Sequence, residues 1–243
     1  KLVHKYFMQK LIDYEKTLLN WNYAKFAWIN QIGHHIINYV EISIAGETID
    51  KHYGDWINIW YELTQSITQD ETYNKMIGNI KELTTFDNNM KSKYTLTIPL
   101  NFWFCRRIGL AFPIIGLQYN DIVIKIVLKR LEDCAYVEKL ATSMIDKSLI
   151  LTDIFDNNNM QITANLLIDY IFLDDKERKR FARSAHEYLM EYIQFSNIEL
   201  TNNSSKTAII NLNLSGPCKE IIWIAQKQAY TNNDNNIKSL WGN

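Results

Sequence analysis

The sequence has almost no net charge: 26 lysines and arginines face 27 aspartates and glutamates, for a formal charge of −1. That balance gives the chain no general attraction to nucleic acid or to an anionic membrane, so direct genome binding is not expected. Long apolar runs are missing too. No stretch reaches the ~18 apolar residues that a membrane-crossing helix needs, and residues 1–5 lack the apolar stretch and small-residue cleavage site of a secretion signal. The expectation is a cytosolic product. Cysteine is scarce: Cys105, Cys134 and Cys218 are odd in number, far apart, outside any CxxC and away from histidines at metal-ligand spacing. Free, mostly buried thiols are therefore expected.

What is present suits a folded chain. Apolar residues make up 47% and charged residues 22% of 243 positions, enough for one large or two smaller domains with proper cores. The first residue is not Met and the last four are Leu240, Trp241, Gly242 and Asn243, so a piece of something longer is expected.

Periodicity outlines the elements. Val40, Ile42 and Ile44 alternate with Tyr39, Glu41 and Ser43 before Ala45-Gly46, which predicts a half-buried strand and a turn. Ala45 disfavours a left-handed turn at its own position. From Asp55, read as an N-cap, residues Trp56, Ile59, Trp60, Leu63 and Ile67 fall at helical spacing. Strict alternation over 94–104 predicts the longest strand, 109–119 reads as a bent crossover, and Ile122, Ile124, Ile126 and Leu128 predict another strand. The pattern loosens over 129–159 and ends in an Asn-rich stretch. Further strands are expected at 162–172, 191–195, 210–214 and near 222–224, with a short charged helix at 176–183 capped by Asp174-Asp175.

Candidate chemistry is thin. His34-His35 invites a metal, but neighbours in a strand point to opposite faces, and no further ligands follow at suitable spacing. His52 and Asp55 are close enough in sequence to hydrogen-bond, and Asp174, Asp175 and Glu177 cluster carboxylates, yet no nucleophile motif accompanies them. Helix capping is the expected role of Asp55 and Asp175. The basic set Lys176, Arg178, Lys179, Arg180 and Arg183 reads as a solvated or intersubunit ion-pair surface, since Asp174-Asp175 lower the local field. Trp56, Trp60, Tyr94, Phe102, Trp103, Phe104 and Trp223 read as core and interface anchors before sugar platforms. Sequons at Asn202, Asn203 and Asn213 are expected to be unused. No catalytic, cofactor-binding or metal residue is assigned, and no enzyme is expected.

Several stretches resemble the major capsid proteins of nucleocytoplasmic large DNA viruses. The resembling runs are 40–56 (VEISIAGETIDKHYGDW), 98–107 (IPLNFWFCRR), 109–113 and 117–119, then 169–174 with 177–182, and 217–223 (PCKEIIW). Their order along roughly 36–225 makes them far more specific together than singly. Relatives often carry two glycines where this chain has Ala45-Gly46, and Asn-Pro where it has Arg107-Ile108. The resemblance implies an all-β double jelly roll, two antiparallel sandwiches with short helical insertions, truncated at both ends or encoded by a split gene. Residues 1–150 would be the C-terminal part of the first jelly roll, 151–160 a linker, and 161–243 the N-terminal part of the second. It also implies a homotrimeric, pseudo-hexagonal capsomer tiling an icosahedral shell in the virion, made in the host cytoplasm. Neighbouring capsomers, minor capsid proteins and an internal viral membrane would be the partners. A related scaffold for viral membrane assembly and a glycan-binding jelly-roll module are the alternatives.

Overall fold

The computed structural model describes residues 24–65, 70–87, 89, 91–117, 119–139, 163–196 and 209–225. Strand β1 (Ala24–Trp28) leads into a single helical turn, α1 (Ile32–His35), and then β2 (Ile37–Ile44) and β3 (Glu47–Tyr53) form a hairpin. Helix α2 (Gly54–Thr64) follows directly, with α3 (Asp70–Met76), α4 (Lys81–Thr84) and α5 (Trp103–Arg106) after it. Two 3-10 turns, Ile108–Leu110 and Ile114–Gly116, make the expected bent crossover into β4 (Ile122–Leu128). A third 3-10 turn (Leu131–Cys134), strand β5 (Ala135–Lys139) and helix α6 (Asp175–Arg183) complete the described elements.

The strands form an antiparallel three-stranded sheet in the order β3-β2-β4 and an antiparallel β1-β5 pair. Alternation along β2 turns Val40 and Ile42 inward, opposite Ile126 and Ile124 of β4. Val40 and Ile42 join Ile37, Ile57, Phe102 and Trp103 in one buried cluster, on which the partly buried Ile124 packs, whereas Ile126 stays exposed. Gly54 lets α2 start hard against the sheet, because a Cβ there would lie 2.2 Å from the carbonyl oxygen of Ile37.

The hairpin turn overturns one expectation. Ala45 does take a left-handed φ of 53°, followed by Gly46 at 85°, the pair of positive values that matches the twist of a two-residue hairpin. The ladder on either side holds Ala45 there despite its Cβ. Ala45→Gly is accordingly expected to raise stability by about 0.5–1 kcal/mol, read from urea unfolding midpoints. An unchanged or lower midpoint would show that the turn carries no strain.

Other expectations need correction. Residues 94–102 run extended but belong to no sheet, and the backbone amide of Thr97 bonds instead to the carbonyl of Met76. Leu96, Ile98 and Leu100 do pack on the core, so the alternation records which side chains face inward and not a strand partner. Helix α2 begins at Gly54, with Tyr53 as its N-cap, so Asp55 sits within the first turn and does not cap it. Its buried positions are Gly54, Ile57, Asn58 and Tyr61, whereas Leu63 is exposed and Ile67 lies outside the described residues. In α6 the cap is Asp174, whose Oδ1 accepts from the backbone amide of Glu177 at 2.8 Å, and Asp175 is the first helical residue. The loose stretch at 129–159 contains β5, too short for five residues to announce a period. Its end, with the expected linker at 151–160, lies outside the described residues.

Downstream, the described residues of 163–172, 191–195, 209–214 and 221–224 are in no strand. Their alternating apolar side chains include the largely exposed Leu167, Phe172, Phe195, Ile209 and Trp223. Alternation marks a face, but a ladder also requires a neighbouring backbone.

Candidate assembly surface

The buried histidines serve the fold. His34 and His35 lie in the helical turn α1, not in a strand, and both are buried. His34 is bonded at both ring nitrogens, Nδ1 to Asn58 Oδ1 at 3.0 Å and Nε2 to the Tyr73 hydroxyl at 2.8 Å. Neither nitrogen is left for an ion, and among the described residues no group of three or more His, Cys, Asp or Glu side chains could hold one. Burial lowers the His34 pKa, against a smaller opposing effect of its bond to Asn58, and pushes that of Tyr73 up to about 12. The unfolded chain therefore binds a proton at His34 that the folded chain resists. The stability this group allows is complete above pH ~6.5 and is lost as pH falls through the lowered folded value, with a slope of at most about 1.4 kcal/mol per pH unit. Urea midpoints between pH 7.5 and 5 should fall more steeply for the unmodified chain than for His34→Gln; identical slopes would refute this.

His52 does not pair with Asp55. Alternation puts it on the same face of β3 as Asp50, and its Nε2 lies 2.9 Å from Asp50 Oδ2, both side chains being 1% exposed. The His52 ring stacks on Phe102 at 4.6 Å. Asp50 Oδ1 accepts from the backbone amides of Lys51 at 2.9 Å and Ile193 at 3.1 Å, joining β3 to a segment 143 residues downstream. Asp55 instead lies 4.0 Å from Lys129 Nζ. Sequence reasoning missed Asp50; the i, i+2 spacing to His52 was the available signal.

The remaining candidates are structural or open to solvent. Lys176, Arg178, Lys179, Arg180 and Arg183 ride on the exposed α6, where Phe181 stacks on His186 at 4.8 Å and so offers no free base platform. Phe102 and Trp103 are core residues, whereas Trp60 lies under the Arg106 guanidinium at 4.5 Å and Trp223 is exposed. Tyr94 donates its hydroxyl to the carbonyl of Lys75. Cys134 is buried, but Cys105 and Cys218 are exposed, against expectation. Asn213 is exposed, and the sequons at Asn202 and Asn203 lie outside the described residues.

What the geometry offers is contact area. On the outer face of the sheet, Glu41 pairs with Lys125 at 3.1 Å and Lys51 at 3.8 Å, and Lys51 sits 3.9 Å over the Tyr39 ring. Strand β4, at one edge, exposes Val123, Ile126 and Leu128. The residues of 163–172 and 209–224 add further exposed apolar side chains, and where such side chains are contiguous they mark protein contacts.

Comparison with known proteins agrees. A family model described as the N-terminus of major capsid proteins matches residues 3–174, and one described as the large eukaryotic DNA virus major capsid protein matches 177–239. The major capsid protein of Phaeocystis pouchetii virus is 39% identical over 225 residues, covering 83% of this chain and 42% of that protein. Capsid protein 1 of Acanthamoeba polyphaga mimivirus is 37% identical over 231 residues, covering 90% and 36%. The chain thus spans about two fifths of the length of these relatives. A quasi-atomic model of the PBCV-1 virus capsid is similar in structure, with TM-score 0.52 and 27% identity over 69% of this chain and 38% of that one. A PBCV-1 crystal structure fitted into a reconstruction of the virophage Sputnik gives TM-score 0.52 at 26% identity, covering 70% and 41%. The fold class is the expected all-β double jelly roll, of which the five described strands, all within 24–139, form part. The chain belongs to the major capsid protein family of large eukaryotic DNA viruses.

Proposed function

We propose that this chain is a structural shell subunit and not an enzyme: three copies close a pseudo-hexagonal capsomer, and capsomers tile an icosahedral capsid. The carrying observation is the pair of family models matched in order over 3–174 and 177–239. Residues 1–150 and 161–243 then belong to successive jelly rolls joined near 151–160. A ring of three needs a heterologous contact that closes, and edges rich in exposed apolar side chains supply the material for it. Minor capsid proteins and an internal membrane are the further neighbours, with synthesis in the host cytoplasm and no direct contact with the genome. Light scattering on the full-length parent protein should give a trimer, and mature particles should contain it. A monomer only, or loss of the protein before particles mature, would overturn the reading; the latter outcome would favour a membrane-assembly scaffold.

A further inference from the structure

The geometry points to residues 191–195 as a strap that closes the β3 edge of the three-stranded sheet. Among the described residues β3 is an outer strand, with one row of backbone groups turned away from β2, the arrangement that templates pairing with another chain. The strap crosses that edge from one face to the other. The amide of Ile193 reaches Asp50 at 3.1 Å on the inner face, where Val40 and Ile42 also lie. Two residues on, the Phe195 ring lies 5.1 Å from that of Tyr53, which alternation places on the opposite face.

The start of the strap is fixed as well. Glu191 accepts from Arg106 Nη1 at 2.5 Å and Lys219 Nζ at 2.7 Å, and both cations hold its carboxyl below the usual range, the bond to Lys219 most strongly. Among the described residues no backbone-to-backbone hydrogen bond joins 191–195 to β3, so the strap covers the edge without lengthening the sheet. Strand addition is thereby blocked at β3, a job that many sheets give to a covering loop.

The test uses the full chain with Phe195→Ala and Glu191→Gln, both at exposed positions, measuring amide hydrogen exchange and light scattering. Exchange at 191–195 and 47–53 should rise by about ten-fold or more while Val40 and Ile42 stay protected, and species larger than those of the unmodified chain should form at lower concentration. Faster exchange at 191–195 with 47–53 and the particle size unchanged would overturn the proposal, as would no change in either segment. Loss of protection at Val40 and Ile42 together with β3 would also overturn it, since the segment would then be part of the core and not a strap.

Discussion

Trp103→Ala is expected to cost about 3–5 kcal/mol of unfolding free energy, the range for deleting a large aromatic from a packed core. Trp103 is 2% exposed and meets the edges of two neighbours, Phe104 at 5.0 Å and Phe112 at 5.9 Å. Phe112 belongs to the crossover into β4, so the loss should loosen that crossover as well as empty the core. Urea unfolding followed by circular dichroism reads the effect. Trp223→Ala provides the contrast: Trp223 is 80% exposed, and its removal should change stability by less than about 0.5 kcal/mol. Equal losses at both positions would contradict this placement of the core.

Asp50→Ala should be comparably damaging, at about 3–5 kcal/mol, because it strands the buried His52 ring and two partly buried backbone donors at once. The ring of His52 and the amides of Lys51 and Ile193 all lose their acceptor. Asp50→Asn keeps an oxygen in place and should cost less. Combining Asp50→Ala with His52→Ala separates pairing from packing: a coupling of about 0.5–3 kcal/mol is expected for groups in direct contact. Strict additivity would mean that the two side chains do not act as a pair.

The hairpin, β4 and α6 were legible because each signal is local. Val40 and Ile42 alternate over a long enough run, Gly46 supplies a turn, and Asp174 stands just ahead of a charged helix. Residues 94–104 were misread because alternation reports side-chain facing and is silent on the partner backbone, which at Thr97 is the carbonyl of Met76. The buried face of α2 was misjudged for another reason. Trp56 and Trp60 are large enough to suggest a core stripe, but Trp60 is covered by Arg106, and the deep positions go to Ile57 and Asn58. That Asn58 is buried follows only from His34, which needs its oxygen. Asp50 depends in the same way on Ile193, a distance along the chain that no local pattern spans.

The Glu191 carboxylate between Arg106 and Lys219 also has a meaning for how such a sequence can drift. A mutation at 219 leaves one cation in place, so that site is free to change first. Arg106 also lies over Trp60 and donates from Nε to the carbonyl of Asn101, so its loss takes three contacts and should be followed only by compensating change. Position 191 answers to both. Across descendants of this chain, a charge reversal at 191 should therefore arrive with reversals at 106 and 219, tying the histories of three sites that lie far apart in the gene.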